Sequence, residues 1–351
     1  MPDPFNPNLA PGDARTPPAS WYTCEARHMS EGQRVLAGNW QVIAHRHEFG
    51  TDQTYLSGCI GREPWVLTRT SDGTVRAFAN VCRHNGTRLV DGQGAGARMT
   101  CPYHGWRYHL DGRLDAAPKC PASDTFRPSE FGLTPLPLIS FGPMWLVNAS
   151  GHAHTPAWTE AAARLNATSW NDLEHRVRRT YHLSCNWKVF VDNYLDGGYH
   201  VPLLHPALSS QLSLRSYTTE LHTDHVVQSA APSRKAGDRL NREALYVWIY
   251  PNLMINRYGP MMDTNVVTPT GPETCRVDFD WYFEPGCTEA FVAESVEASE
   301  QVQQEDIHIC ERLQEGLRSM HARPGPYVPD LEEGKYLFHQ RVHSDLTGPS
   351  T

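Results

Sequence analysis

Residues 81–108, VCRHNGTRLVDGQGAGARMTCPYHGWRY, constrain the fold more than any other stretch of the chain. Cys82 and His84 stand two apart, Cys101 and His104 three apart, with sixteen residues between the pairs. Thiolates and imidazoles in such proximity are a metal-binding donor set, and zinc, copper and iron–sulfur clusters all accept it. Spacing narrows the choice. A structural zinc site draws two cysteines from one knuckle, whereas each loop here supplies one Cys and one His, as C-x-H-x16-C-x2-H. Gly86 and Gly105 allow close backbone approach, and Pro102 stiffens the second loop.

That pairing fits a two-iron cluster with both thiolates on one iron and both imidazoles on the other, which is the Rieske arrangement. Backbone N–H groups of the loops would donate to the sulfurs and tune the potential. A structural zinc site is the competing reading of the same four residues.

At 351 residues the chain exceeds the usual single-domain size, so two domains are expected. Short alternating segments between Trp40 and Leu146, broken by Gly, Asp and Asn turns, predict a small antiparallel β domain over 39–150. Residues 1–38 read as a mobile, proline-rich arm with a lead-in helix, and 151–351 as a second, mixed domain. In that second part TCRVDFDWYFEP alternates strictly, with Val277, Phe279, Trp281 and Phe283 on one face, and residues 291–317 form the clearest helix. The fold class is α+β.

A second constellation lies in DNYLDGGYHVPLLHPAL, where His200 and His205 are five apart. On a regular helix they would diverge by roughly 140°, so sharing one metal requires a break, for which Pro202 is the candidate. In the long helix an apolar stripe of Val302, Ile309, Leu313 and Leu317 places Asp306 on the buried face, with Glu305 to its side and Glu311 opposite. A carboxylate there is costly unless it is paired or binds a metal. Two histidines and one carboxylate make the facial triad of non-haem Fe(II) oxygenases.

Composition sets the remaining bounds. A net charge of -8 with no basic block excludes a nucleic-acid or anionic-membrane footprint, and no run reaches the length of a bilayer span. The first residues do not read as a secretory signal or transit peptide. Nine cysteines, an odd number and widely spread, favour a reducing compartment, with the cytoplasm as the default. No dinucleotide or flavin fingerprint is present, so electrons must come from a separate reductase.

From Trp21 to Phe338 the chain resembles the Rieske non-haem iron oxygenases, in CRHNG, CPYHGW, NWKVFVDNYLDGGYHVPLLHP and QQEDIHICERLQEGL, in that family's order. NWKVFVDNYLDGGYHVP, YPNLMINRYGP, QEDIHICERLQ and the KYLFHQ tail are most similar to its choline monooxygenase branch. The resemblance implies a small antiparallel β Rieske domain, with the [2Fe-2S] cluster on Cys82, His84, Cys101 and His104. It also implies a helix-flanked antiparallel-sheet catalytic domain, with Fe(II) on His200, His205 and Asp306. It further implies a homotrimer in which one subunit's cluster serves its neighbour's iron, and an NAD(P)H-dependent reductase, with or without a ferredoxin. Most relatives keep a bridging carboxylate where this chain has Gly197; the role falls to Asp196, with Asp192 as the fallback. Asn193 and Tyr199 match positions beside the iron ligands.

The activity so implied is O2-dependent monooxygenation, by hydroxylation or oxidative N-demethylation, of a small quaternary or methylated amine such as choline or a betaine. Trp248, Tyr250, Tyr258 and Trp281 are the candidate aromatic cage, against the alternative that they are core packing. Aromatic ring hydroxylation is the rival activity. A Rieske electron carrier or sensor is the non-enzymatic alternative.

Overall fold

A computed structural model of the chain describes residues 5–49, 54–120, 123, 125–152 and 155–348. They divide into two compact units, 31–155 and 1–30 with 156–351. The sequence places the divisions after residues 38 and 150; the compact units divide after 30 and 155. Residues 5–30 belong to the C-terminal unit, so the segment expected to be a mobile arm is fixed from Phe5 onward. Phe5 is buried with its ring edge-on to Trp21 and His339. Proline cannot donate from its backbone but leaves its neighbours' carbonyls and its own free to accept. Tyr336 Oη accordingly donates to the Leu9 carbonyl over 2.6 Å, and Gln340 Nε2 to that of Pro7 over 2.6 Å.

Unit 31–155 is built, among the described residues, from three small antiparallel sheets. Trp40–His45 pairs with Met144–Asn148, which pairs with Leu138–Phe141; a five-stranded sheet includes Thr54–Ile60, Glu63–Arg69 and Val75–Ala79; Arg98–Thr100, Arg107–His109 and Leu114–Ala116 form the third. Glu63–Arg69 is buried on both faces. Its two-residue period sends Trp65 and Leu67 into one core with Phe49 and Val147, and Val66 into another with Phe78, Met99, Trp106 and Tyr108. The second core also holds Cys82 and Cys101.

The C-terminal unit centres on an antiparallel sheet that has seven strands among the described residues. In chain order these are β1 (Glu174–Leu183), β2 (Thr218–Leu221), β3 (His225–Ala230), β4 (Ala244–Ile249), β5 (Leu253–Tyr258), β6 (Met261–Gly271) and β7 (Thr274–Phe283). Their spatial order is β1-β7-β6-β5-β4-β3-β2, and Val277, Phe279, Trp281 and Phe283 are buried as their alternation predicts. Three helices matter for the site: α1 (Trp187–Tyr194), α2 (Glu289–Leu317) and α3 (Glu333–Thr347). Asn186 caps α1 by accepting from Lys188 N, and Thr288 caps α2 by accepting from Phe291 N.

The buried stripe of α2 differs from the expected one. Ile309 and Leu313 are 39% and 47% exposed; the residues that face inward are Val292, Ser295, Val296, Ser299, Gln303, Cys310 and Gln314. This face meets α1 at short range, Cys310 Sγ lying 4.0 Å from the Val189 carbonyl, so it needs small side chains and polar ones that satisfy nearby backbone. Gln314 does both jobs: Oε1 accepts from Asn186 N over 2.9 Å and Nε2 donates to the Tyr22 carbonyl over 3.2 Å. Asp306 falls on this stripe, three residues after Gln303 and four before Cys310.

Candidate metal centres and cavity

The two loops that carry the Cys/His pairs are hydrogen-bonded alike. Gly86 N bonds to the Cys82 carbonyl over 3.0 Å and Gly105 N to that of Cys101 over 3.1 Å, while Cys82 N and Cys101 N bond forward to Thr87 and Trp106 carbonyls. Gly86 and Gly105 have φ of 75° and 72°, the left-handed region that closes each turn. Both thiols point into the core, and both imidazoles are exposed, with ring centroids 4.7 Å apart. His84 stacks on Trp106, and the Tyr108 hydroxyl lies 3.4 Å from Cys82 Sγ. Burial, and then the Cys101 thiol nearby, raise the Cys82 thiol above its ordinary value against the pull of the Tyr108 hydroxyl.

No three of these four donor atoms converge within 4.8 Å of one another. Four ligands of one tetrahedral zinc would lie within about 4 Å of each other. The donor set, two buried thiols and two outward imidazoles held as separate pairs, fits a two-iron cluster.

In the C-terminal unit the donor atoms of His200, His205 and Asp306 do converge within 4.8 Å. Pro202 does not break the chain between the histidines: it sits in the first turn of the short helix Val201–Leu204, where a missing N–H is tolerated. His200 and His205 are the two caps of that turn, and cap positions leave their rings free of the regular helical spacing. Their centroids are 5.1 Å apart. His205 Nε2 lies 3.0 Å and His200 Nε2 3.8 Å from Asp306 Oδ1.

Each imidazole is held from behind by a carboxylate on Nδ1: Asp196 Oδ2 at 2.6 Å from His200 and Glu305 Oε2 at 2.6 Å from His205. Both Nε2 atoms are thereby turned toward the metal position, the arrangement that orients metal-bound histidines. Burial disfavours a charged His205, but Asp306 and then Glu305 outweigh it and raise its pKa. Asn193 Nδ2 fixes Asp306 by donating to Oδ1 over 2.7 Å. Asp196 also accepts from the backbone N–H groups of Gly198, Tyr199 and His200. Asp192, the fallback, is elsewhere: it is buried against His339 at 2.8 Å and the Tyr22 hydroxyl at 2.8 Å. Gly197, the position the resemblance implies for the acid in most relatives, has φ 67°, and a Cβ there would meet the Leu331 carbonyl oxygen at 2.2 Å.

A cavity of about 130 Å³ runs from these ligands across the sheet, lined by Tyr194, Tyr217, Tyr246, Tyr258 and Asp263 among others. Of the four aromatic residues expected to line it, only Tyr258 does. Trp248 shares the inward face of β4 with Tyr246 but is covered by Phe338 of α3, its Nε1 donating to the Pro251 carbonyl. Tyr250 lies past the end of β4 and donates to Asp345 over 2.8 Å. Trp281 is fully buried, stacked on Phe279. Tyr199 adjoins His200 and donates its N–H to Asp196, while its side chain is 58% exposed and does not line the cavity. Tyr194, Tyr217, Tyr246, Asp263 and Glu305 were not singled out by sequence. Tyr246 carried a signal in sharing the strand period of Trp248.

Residues 39–128 match the Rieske [2Fe-2S] domain family, and residues 170–348 match the ring hydroxylating alpha subunit (catalytic domain) family. The chain belongs to the Rieske non-haem iron oxygenases, as an α-type oxygenase component with both domains. Choline monooxygenase, chloroplastic, of Arabidopsis thaliana is 38% identical over 97% of this chain and 85% of that protein. The carnitine monooxygenase oxygenase subunit of Escherichia coli (strain K12) is 30% identical over 91% and 88%. Among solved structures, the quaternary ammonium Rieske monooxygenase CntA in complex with L-carnitine matches with a TM-score of 0.81, at 26% identity and 99% coverage of both chains. Membership implies a Rieske cluster, a mononuclear iron, an electron-transfer partner, a substrate and O2. Among the described residues no helix is long and apolar enough to cross a membrane.

Proposed function

We propose that this oxygenase monooxygenates a small methylated or quaternary amine, choline or a betaine, with electrons from a separate NAD(P)H-dependent reductase that acts directly or through a ferredoxin. The observation that carries the reading is the cavity in which Tyr194, Tyr217, Tyr246 and Tyr258 stand beside His200, His205 and Asp306. Aromatic faces attract ammonium ions and tolerate their methyl groups. Iron held by His200, His205 and Asp306 would supply O2 activation, and a cluster held by Cys82, His84, Cys101 and His104 would supply electrons.

The chain's own residues do the rest. The tyrosines hold the head group and keep water from it; Asp196, Glu305 and Asn193 fix the three ligand side chains, so that a C–H bond presented from the cavity meets one reacting position. Oxygen inserted at an N-methyl carbon leaves a carbinolamine that separates into formaldehyde and amine. Inserted at a CH2OH carbon, it leaves an aldehyde hydrate. The reading includes a homotrimer in which Asp196 links His200 to a neighbour's cluster, and a cytoplasmic location. Asp196 is its candidate because it already binds His200.

The test is O2 uptake coupled to product with a surrogate reductase and a panel of choline, glycine betaine, carnitine and simple aromatics. Stoichiometric product from a methylated amine supports the reading. Product from aromatics alone replaces it with ring hydroxylation, and no product from any substrate, with iron content and electron transfer unchanged in His205→Ala, would leave only the electron-carrier reading.

A further inference from the structure

The floor of the cavity carries a carboxylate that the metal centre does not use. Asp263 on β6 is 2% exposed and lies opposite Asn256 and Trp281 in the sheet register. Asn256 Nδ2 and Asn265 Nδ2 donate to its Oδ1 over 2.7 and 2.8 Å, and the Tyr258 hydroxyl donates to its Oδ2 over 2.8 Å. Three donors converge on two oxygens, the environment of an ionised carboxyl group. No basic side chain forms an ion pair with it among the described residues. Arg239, which lines the same cavity, lies one hydroxyl away: its Nη2 donates to the Tyr258 hydroxyl over 3.0 Å and to Ser299 Oγ over 2.7 Å, and its charge favours the ionised Asp263.

A buried carboxylate without a cation in direct contact is expensive. Burial pushes the Asp263 carboxyl above its usual range in spite of its donors. The cavity gives a second cation direct access, since Asp263 lines it together with the four tyrosines and Arg239. Burial also pushes the Tyr194, Tyr217, Tyr246 and Tyr258 hydroxyls up, so these rings are neutral; Arg239 covers one face of Tyr258, its Cζ 4.9 Å from the ring centroid. Ser299 precedes Asp306 by seven residues on α2, about 10 Å along the helix axis at 1.5 Å per residue. Ser299 and Asp306 both line the cavity, whose volume of about 130 Å³ is shared by the Tyr258–Asp263 floor and the metal ligands.

We infer that Asp263 is the fixed counter-charge for the ammonium head of the substrate, and that it selects a permanent cation over a neutral molecule of the same shape. The inference rests on the methylated-amine reading of this cavity and names the residue that enforces it. Asn256 and Asn265 are positioning residues, because they act on the head group through the carboxylate; Tyr258 holds the carboxylate and also faces the head group.

The experiment is calorimetric titration of the holoenzyme with choline and with 3,3-dimethylbutan-1-ol, its uncharged carbon isostere. Wild-type protein is expected to bind choline at least about tenfold more tightly than the isostere. Asp263→Asn is expected to lose about tenfold or more for choline, with the isostere unchanged and Asp263→Glu recovering part of the loss. Each charge effect of this size corresponds to a single strong, partly desolvated ionic contact. Parallel loss of both ligands in Asp263→Asn, or no loss of choline, overturns the inference and leaves the methylated-amine reading intact. Should Asp263→Asn fail to fold, the wild type decides alone, and equal affinity for the two ligands overturns it. Failure of the wild type to bind choline, glycine betaine or carnitine would sink the reading and the inference together.

Discussion

His205 Nδ1 and Glu305 Oε2 lie 2.6 Å apart, and Glu305 Oε1 is in turn held by Gln301 Nε2 at 2.8 Å. Glu305 thus faces His205 while Asp306, its neighbour in the chain, faces the metal position from the same turn of α2. Partners of this kind set the tautomer and direction of a ligand imidazole, and their loss costs about 10–100-fold in metal affinity or activity. Glu305→Ala is expected to lower iron occupancy of the mononuclear site by that range while leaving the visible absorbance of the cluster unchanged. Iron per chain after dialysis against a mild chelator, with labile sulfide as the internal reference, checks it. Full occupancy in the variant would show that His205 needs no support from behind.

Gln314 supplies the second prediction. Its amide is fully buried and satisfies both the Asn186 N–H at the start of α1 and the Tyr22 carbonyl. Gln314→Leu keeps the volume but strands two buried backbone groups, at about 1–3 kcal/mol each. A clear drop in the urea midpoint is expected at unchanged m-value; no drop would mean that those groups find other partners.

The same residue marks the limit of what could be read from the chain. The Cys/His loops were legible because ligand chemistry and turn glycines are local, and the β-rich first domain because its strands are short and punctuated. Asp306 was found, but through a stripe that included Ile309 and Leu313, which are exposed. Hydrophobicity marks the inward face of a helix only when the contact is apolar, and α2 meets the N-terminal end of α1 through Cys310 and Gln314. The cavity aromatics were missed for a related reason. Trp248 and Tyr246 share one face of β4, and only the position of α3 decides that Trp248 is covered and Tyr246 is open.

At Gly197 the backbone itself forbids a side chain. Its φ is 67°, and a Cβ would meet the Leu331 carbonyl oxygen at 2.2 Å. Gly197→Ala is expected to destabilise the protein by about 2 kcal/mol or more, from left-handed strain and the displaced carbonyl together. Gly197→Asp, which moves the acid to the position the resemblance implies for most relatives, is expected to be at least as destabilised and to lose mononuclear iron by disturbing Asp196. Thermal melts and iron analysis of both variants are the check, and a stable, iron-replete Gly197→Asp would show that the turn can be rebuilt.

His225, at the start of β3, gives a dependence on pH that has nothing to do with the metal ligands. It is 1% exposed, neither ring nitrogen has a hydrogen-bond partner among the described residues, and its ring stacks on His222 with centroids 4.2 Å apart. Burial, and then the neighbouring His222, hold its pKa down at about 4, against 6.5 for an ordinary histidine. Between those two values the unfolded chain binds a proton that the folded chain refuses, so stability rises with pH through that window and falls on acidification. From about pH 7.5 to about pH 5.5 the wild type is expected to lose about 1 kcal/mol through this residue alone. His225→Phe keeps the buried, stacked ring and removes the proton site. The difference between its urea midpoints at the two pH values should therefore be smaller than the wild-type difference by that amount. Identical pH slopes in the two proteins would mean that His225 takes up its proton in the folded state as readily as in the unfolded one.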